Sequence, residues 1–396
     1  MKNVIACLVT VFAFLAVTSM APSCARADDA GVVKEVIKLL KADVGEPVVL
    51  SYIEREGAPE KLGADAIVEL KKAGASEDVI MAMMGRQTAG GQPPAGQDGF
   101  PFDLDDQFRV LKPVSHGPMT IFPIEKKTPV SIAGNYLSLD EAMGQKIVTI
   151  RERGDGSVPI VIIINSGKLP IYISAGEIII GGKQDRIVAY DVIVHPGKEL
   201  PIEVRCVEHG RWQGQSMAFS AAPVMGGRAA KSAAQFSGQD AVWREVARQN
   251  DRLEVESSTG SYQASINKPE MEKAYKAYAD ALLKQVEGRS IVGMVVAING
   301  KVHAIEMFGS PSLFARLKEK LLKGYVLDAL SAASDAGGVP SKESIVNFYR
   351  ETMNAEKKAL KEYEDNKNVS RESSKAKASE SVDAEGQVMH RSFLAQ

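Results

Sequence analysis

Two polar clusters in a strand-like stretch contain residue types that could bind or transform a ligand. The first follows a glycine pair, Gly181-Gly182, and the second spans Cys206–Trp212, with a β-rich segment between them. A buried strand needs Val, Ile and Leu rather than adjacent charged residues, so we expect two polar strand ends that lie side by side. The candidate ligand-binding residues are Lys183, Gln184, Asp185, Arg186, Glu208, His209, Arg211 and Trp212.

The cations of these clusters favour an anion site. Arg186 and Arg211 carry planar guanidinium groups that suit phosphate or carboxylate, and Lys183 adds a compact positive charge. Glycine would let backbone N–H groups approach the ligand closely. The alternative is a structural network of ion pairs, because three acidic residues balance the three cations. These acidic residues are Glu177, Asp185 and Glu208.

Catalysis is a further alternative. Glu177 and Glu208 are weak candidates for a pair of carboxylates that transfers protons during hydrolysis. Cys206 would need His209 or His195 as its base. Side chains three residues apart on a strand point to opposite faces, which argues against His209. The spacing between Cys206 and His209 is also half of a metal-binding set without a second half. We therefore predict no metal site and interpret Cys206 as a small buried hydrophobic residue.

The aromatic and glycine motifs do not indicate a cofactor. Trp212 and Trp243 could stack on a base or sugar, although tryptophan more often belongs to the core. The sequence contains no Walker A motif, no nucleophile elbow and no dinucleotide fingerprint. We predict no cofactor.

Several segments together resemble a known family, the ARG and rhodanese-phosphatase-superfamily-associated protein domain. The resemblance is carried by GGKQDR at 181–186, VIVHPG at 192–197 and CVEHGRW at 206–212. It extends from about Phe108 to about Leu330, and the terminal Gly386–Phe393 resembles the family's last strand. Further matching segments are Tyr136–Ala142, Ala241–Trp243 and Asn299-Gly300.

The resemblance implies, by the family's name, an association with ADP-ribose and phosphate chemistry, and it implies no established activity. The family usually has Asn after the Gln of the first cluster. This chain has Asp185 there, which adds a negative charge.

The N-terminus predicts export. Residues 1–27 have the basic Lys2, an apolar run and an Ala-x-Ala cleavage site, as in a signal peptide. The apolar run is short for a membrane span, so we expect no membrane span after cleavage and a periplasmic or secreted protein. Cys24 lacks the preceding leucine of a lipoprotein signal, which argues against lipid anchoring. Cleavage would leave Cys206 as the single cysteine, so no internal disulfide is expected.

The amino-acid composition restricts the classes of partner that the protein is expected to bind. The chain has 396 residues, of which 45% are hydrophobic and 25% charged, and its formal net charge is −2. Cleavage would remove Lys2 and Arg26 and lower this charge to −4. An acidic balance without a long basic run argues against nucleic acid as a partner.

Residues 28–86 predict a small all-α module built from an internal repeat. Leu39–Ala42 aligns with Leu70–Ala73 at an offset of 31 residues. Gly74 is placed to end one helix and Ser76 to cap the next. The two copies should pack on each other, and their apolar faces make self-association or a protein partner plausible. A Gly-, Pro- and Gln-rich linker follows at 87–100.

Residues 101–335 predict a β-rich main domain. Short β-branched runs separated by turn residues indicate an antiparallel sandwich or barrel. With inserted helices, the fold class is α+β. Ile291–Phe308 predicts a hairpin through Asn299-Gly300, and Ser138–Glu141 predicts a capping box. Helices are expected at 239–248, 269–286 and 312–333, and a long mobile loop at 217–236.

Residues 336–396 predict three segments. Residues 336–363 are expected to hold an amphipathic helix, 364–383 a charged flexible segment, and 384–396 a strand that returns to the main domain.

Three functions remain open from the sequence. The first is a ligand-binding or interaction domain with a site for a small anion. The second is a hydrolase or transferase acting on phosphate- or ADP-ribose-like substrates. The third is a structural envelope protein whose helical module assembles.

Overall fold

The computed structural model divides into two compact units, 1–90 and 91–396. It describes residues 29–42, 44, 49–50, 52–53, 63–76, 79–80, 83, 99–128, 135–154, 159–211, 218–288, 290–332 and 338–396. The predicted signal peptide, Cys24, most of the linker and Trp212 lie outside these residues.

The first unit contains two described helices, α1 (Asp29–Lys41) and α2 (Ala64–Lys72). Val36 of α1 and Leu70 of α2 are fully buried in one apolar cluster, so the two copies of the repeat pack together as predicted. Gly74 has a φ of +91° just after α2, a conformation that glycine adopts without strain. The hydroxyl of Ser76 accepts a hydrogen bond from the Val79 amide at 3.2 Å, which confirms the predicted cap.

The second unit is an α+β domain whose sheets are mostly antiparallel, as the sequence predicts. Its largest sheet, which curls like half a barrel, has the order β1-β2-β4-β14-β15-β19-β18-β17-β16, with β3 paired to β4. These strands are β1 (Phe102–Asp103), β2 (Phe108–Val110), β3 (Val114–His116), β4 (Met119–Lys126), β14 (Ile291–Ile298), β15 (Lys301–Phe308), β16 (Lys358–Glu362), β17 (Asn366–Glu372), β18 (Ala376–Asp383) and β19 (Val388–Ala395).

Two smaller sheets complete the β framework. One has the order β13-β9-β10-β12-β7-β6, and the other has the order β11-β8-β5 with β5 parallel to β8. Their strands are β5 (Leu137–Ser138), β6 (Val148–Glu152), β7 (Ile160–Asn165), β8 (Ile171–Ile173), β9 (Glu177–Gly181), β10 (Arg186–Val188), β11 (Val192–Val194), β12 (Glu199–Cys206) and β13 (Phe219–Met225).

Helices fill the space around these sheets. They are α3 (Leu139–Gly144), α4 (Arg228–Phe236), α5 (Gln239–Arg252), α6 (Tyr262–Ile266), α7 (Pro269–Leu282, continued as a 3₁₀ turn to Val286), α8 (Pro311–Ser331) and α9 (Lys342–Met353). Helix α8 contacts both β14 of the large sheet and β13 of the six-stranded sheet. A Cβ on its Gly324 would lie 2.7 Å from the Met225 carbonyl oxygen, so only glycine lets the helix approach this strand so closely.

Several local predictions are confirmed. Strands β14 and β15 form the predicted hairpin, and Asn299 and Gly300 in its turn have φ angles of +50° and +73°. The hydroxyl of Ser138 accepts a hydrogen bond from the Glu141 amide, and the Glu141 carboxylate accepts one from the Ser138 amide, which completes the capping box of α3.

The prediction of a mobile loop at 217–236 is wrong for its described residues. They form strand β13 and helix α4, which are joined by a short connection. Strand β13 pairs with β9, which supplies partners for its backbone groups. The small side chains of Ala230, Ala233 and Ala234 are buried on α4, so the alanines allow close packing.

The prediction for the C-terminal region also needs correction. The amphipathic helix is confined to α9, and its expected end is strand β16. The expected flexible segment at 364–383 is the pair β17 and β18 in the large sheet. These polar strands are ordered because partners remote in sequence bind their side chains. The Asn366 and Asn368 amides, for example, donate to the Asp191 carbonyl oxygen at 2.8 and 2.9 Å.

The terminal strand prediction is confirmed, since β19 lies between β15 and β18 in the large sheet. No helix in the described part of the chain has the length and apolar character that crossing a membrane requires.

Candidate functional site

The structure brings the two predicted polar clusters together. Strands β10 and β12 are antiparallel neighbours, with Arg186 opposite Cys206. The Val207 amide donates to the Asp185 carbonyl oxygen at 3.0 Å. The two clusters therefore meet at one end of this strand pair.

Arg186 lies inside the protein at this point. Its side chain is fully buried, and its guanidinium lies 3.4 Å from the carboxylate of Glu152, which is also buried. The same guanidinium donates to the carbonyl oxygen of Gln184. The Glu152 carboxylate also accepts the Lys183 amide at 2.9 Å. Arg186 thus binds protein groups rather than facing an open cleft.

Arg211 ties the two clusters to each other. Its guanidinium donates to Glu208 at 2.7 Å, to Asp185 at 2.8 Å and to the Gly182 carbonyl oxygen at 3.0 Å. The second oxygen of Glu208 accepts the Thr259 hydroxyl at 2.8 Å. Burial raises the pKa of Asp185. This geometry is that of the ion-pair network, the structural alternative left open by the sequence.

Two further candidates of the clusters, Gln184 and His209, differ in their exposure to solvent. Gln184 is fully buried, and its amide nitrogen lies 3.4 Å from the His209 carbonyl oxygen. His209 is exposed, and its ring packs edge-on against Trp243 with centroids 4.5 Å apart.

Glu177 belongs to a different network from Glu208. It is fully buried and pairs with Lys320, which also lies 2.9 Å from Asp140. Burial raises the pKa of Glu177 against the opposing charge of Lys320. The carboxylates of Glu177 and Glu208 have separate partners, so the structure does not show the acid–base pair that the sequence suggested.

Cys206 is in an environment that suppresses thiolate chemistry. The residue is fully buried, and burial raises the pKa of its thiol to about 11. Its backbone amide and carbonyl are both bound by the side chain of Gln239, at 2.7 and 2.8 Å. Within the described residues, no group of three or more His, Cys, Asp or Glu side chains could hold a metal ion.

A second buried charge network joins residues that are far apart in the sequence. The Glu306 carboxylate binds the Lys231 ammonium at 2.7 Å and the His390 ring at 2.7 Å. The other ring nitrogen of His390 lies 2.9 Å from Asp191. We call Asp191, Lys231, Glu306 and His390 the buried tetrad. It links β15, β19, α4 and the segment between β10 and β11.

Ion pairing outweighs burial at two groups of the tetrad. Burial alone would raise the pKa of Glu306, but the charge of Lys231 and the hydrogen bond from His390 lower it to about 2. Burial alone would lower the pKa of His390, but the charge of Asp191 outweighs this and raises it. The partners within the tetrad thus offset the cost of burying these groups, which would be high if they were unpaired.

An open basic cleft lies beside α4 and α5. It consists of two adjoining cavities of about 480 and 520 Å³ that share the walls formed by Arg228, Arg248 and Arg252. We call the cavity that reaches Lys301 the β15 lobe and the one that reaches Arg244 and Lys377 the β18 lobe. The cleft is lined by six cationic side chains, Arg228, Arg244, Arg248, Arg252, Lys301 and Lys377, by two acidic side chains, Glu245 and Asp328, and in both lobes by Gln396.

Part of this positive charge is neutralised by the protein, because Arg248 pairs with Glu245 and Lys377 lies 3.5 Å from Glu372. Arg244, Arg252 and Lys301 form no ion pair with any residue that the structure describes. The Nε atom of Arg228 is buried without a hydrogen-bond partner in the same part of the chain. Both carboxylates are engaged, Glu245 by Arg248 and Asp328 by the Arg228 backbone amide at 2.7 Å.

His303 stands in the wall of the β15 lobe. One of its ring nitrogens lies 2.8 Å from the Asp328 carboxylate, and the histidine side chain is 17% exposed. The carboxylate therefore fixes the orientation of the ring at the edge of the cleft.

One sequence signal could have identified the cleft. Arg244, Arg248 and Arg252 recur every four residues, so on a helix they share one face. The helix predicted at 239–248 stops short of Arg252, the last arginine of this face. The cations from β15, β18 and α4 carry no comparable local signal.

Comparison with known proteins gives one match. No curated protein and no solved structure matches the chain. The family model described as the ARG and Rhodanese-Phosphatase-superfamily-associated Protein domain matches residues 107–394. This range covers most of the second unit and ends within β19. The chain therefore belongs to the ARG and Rhodanese-Phosphatase-superfamily-associated Protein domain family, ARPP-1.

Proposed function

We propose that the main domain binds a small phosphate-bearing anion in the basic cleft. The proposal rests on the observation that the cleft is lined by Arg244, Arg252 and Lys301, which have no ion-pair partners among the described residues. Guanidinium groups bind phosphate oxygens in pairs and suit such a ligand. The family's association with the rhodanese-phosphatase superfamily is compatible with this ligand class.

The cleft supports this function better than the two polar clusters do. In the clusters, Arg186 and Arg211 already bind carboxylates and carbonyl oxygens. A ligand would have to displace these bonds and enter a buried space. In the cleft, the arginines of α5 are exposed, and Arg244 and Arg252 have no ion-pair partner among the described residues that a ligand would have to displace.

Isothermal titration of the protein with inorganic phosphate tests the proposal. We expect Arg248→Gln to weaken phosphate binding about tenfold, since one charge-assisted contact contributes about 1.5 kcal/mol. The matched control is Arg350→Gln, which changes an exposed helical arginine in the last turn of α9. Phosphate binding that is absent, or that Arg248→Gln and Arg350→Gln affect equally, would refute the proposal.

A second candidate function, hydrolysis of the bound phosphate compound, is favoured by the pair of His303 and Asp328. The ring nitrogen of His303 that does not face Asp328 would take a proton from water. The water oxygen would then form a bond to phosphorus, and the bond from phosphorus to the leaving oxygen would break. The proton on His303 would pass to that oxygen.

Release of inorganic phosphate from pyrophosphate measures this activity. We expect release to stop in His303→Gln while binding persists. A wild-type rate no higher than the spontaneous rate would leave binding as the function of the cleft and exclude hydrolysis of this substrate.

Export and self-association remain part of the proposal. The sequence of residues 1–27 supports transport out of the cytoplasm. The repeat in the first unit supports assembly, which sedimentation of the mature protein and of a chain without residues 28–86 would test. Equal oligomeric states for the two chains would exclude a role of the module in assembly.

A further inference from the structure

The basic cleft has the shape for an elongated ligand. Its two lobes share Arg248 and Arg252 of α5, and each lobe has a lysine that the other lacks, Lys301 in the β15 lobe and Lys377 in the β18 lobe. Arg244 and Arg252 are eight residues apart on the helix, which places their backbones about 12 Å apart. One phosphate group cannot contact both lobes and this whole stripe at once.

The lining favours phosphate groups without attached bases. None of the lining residues, all of them in the described part of the chain, is Phe, Tyr or Trp. Proteins that bind single-stranded nucleic acids stack the bases on such rings. The cleft instead offers guanidinium and ammonium groups along its length.

We propose that the ligand is a linear phosphate chain that occupies both lobes. Arg228, Arg248 and Arg252 would bind its middle, Lys301 one end, and Lys377 the other end. This inference rests on the proposed anion-binding function and adds the length and class of the ligand.

Titrations with inorganic phosphate, pyrophosphate and tripolyphosphate at one ionic strength test the inference. We expect tripolyphosphate to bind at least about tenfold more tightly than phosphate, because it adds contacts in the second lobe. Lys301→Gln and Lys377→Gln should each weaken tripolyphosphate binding about fivefold and weaken phosphate binding by no more than about twofold, because a single phosphate can still bind in the other lobe. Arg248→Gln should weaken the binding of both ligands.

The outcomes separate this inference from the proposed function. The ligand occupies a single lobe if phosphate and tripolyphosphate bind equally, or if only one of Lys301→Gln and Lys377→Gln weakens tripolyphosphate binding. In that case the inference fails, while anion binding in the cleft stands. If neither ligand binds, both fail. A glutamate peptide or an oligothymidylate that binds at least as tightly as tripolyphosphate at the same ionic strength would overturn the assignment to phosphate chains.

Discussion

Replacing Arg186 with methionine tests whether the first polar cluster is structural. The guanidinium and the Glu152 carboxylate are 0% and 1% exposed. Removing one partner of a buried ion pair costs about 3–5 kcal/mol, because the other charge stays buried without its counter-ion. Glu152 would keep the Lys183 amide as a donor, which partly offsets the loss. We expect Arg186→Met to lower the free energy of unfolding by about 3–4 kcal/mol.

Urea denaturation of the wild type and three variants measures this effect. Arg151→Met is the matched control, since Arg151 pairs with Glu199 at the surface and both side chains are about half exposed. It should cost at most about 1 kcal/mol. The double variant Glu152→Met, Arg186→Met removes both charges and should recover at least half of the loss, because a hydrophobic pair of similar volume fits such a site.

Phosphate titration of the folded Arg186→Met protein completes the experiment. The affinity should equal that of the wild type, since the basic cleft does not include this residue. A loss below about 1 kcal/mol, together with weakened phosphate binding, would refute the structural interpretation and return the anion site to the two polar clusters.

Three further predictions concern buried groups. The pKa of His390 is raised, so the stability that His390 contributes is present below pH 6.5 and is lost as the pH rises through its folded-state pKa. The pKa of Glu306 is lowered, so the stability that Glu306 contributes is present above pH 4.5 and is lost as the pH falls toward about 2. Denaturation at a series of pH values should show the free energy of unfolding falling at both high and low pH. A His390→Gln variant that keeps the fall at high pH would contradict the assignment to His390. Mass spectrometry of the peptide that contains Cys206 should show at least about a hundredfold slower alkylation in the native protein than in urea, because the thiol is buried with a pKa of about 11; equal rates would disprove the burial. Gly182→Ala should lower the free energy of unfolding by about 2–3 kcal/mol, because Gly182 has a φ of +55° and the added Cβ would lie 2.3 Å from the ring of Phe219 on β13. The control Gly197→Ala, at a φ of +74° with open space around it, should cost about 1 kcal/mol. Equal losses would show that the clash at Gly182 is relieved.

Features set by local chemistry could be predicted from the sequence. The Asn299-Gly300 turn, the capping box at Ser138 and the helix end at Gly74 depend on residues within a few positions of each other. The antiparallel β-rich class follows from many short strands and turns, so errors in single elements do not change it.

The sequence could not show that residues 366–383 form the ordered strands β17 and β18, because the residues that hold these strands lie elsewhere in the chain. Their polar composition is typical of a flexible segment. In the folded protein, the Asn366 amide binds the Asp191 carbonyl oxygen across 175 residues of sequence, and Glu380 binds Arg391 on the neighbouring strand β19. These two polar side chains therefore find their partners in the fold itself.

The same reasoning explains the partial success at the site. The sequence correctly placed the two polar clusters beside each other, but it could not show Glu152, which approaches Arg186 from β6 and decides that this cation is paired. The buried tetrad assembles residues from four separate parts of the chain. Only the arginine spacing on α5 was visible locally.

The distribution of paired and unpaired cations connects the fold to the proposed function. A buried cation must be paired, because desolvation of a single charge costs several kcal/mol. Lys231 and Lys320 follow this rule, and each is held by a carboxylate. Arg244 and Arg252 have no such partner among the described residues, and they gather at one cleft although the chain as a whole is acidic. Their mutual repulsion is a cost that packing does not require, and a bound polyanion would remove it. We therefore expect tripolyphosphate to raise the unfolding temperature, and Arg244→Gln with Arg252→Gln to raise it in the absence of ligand.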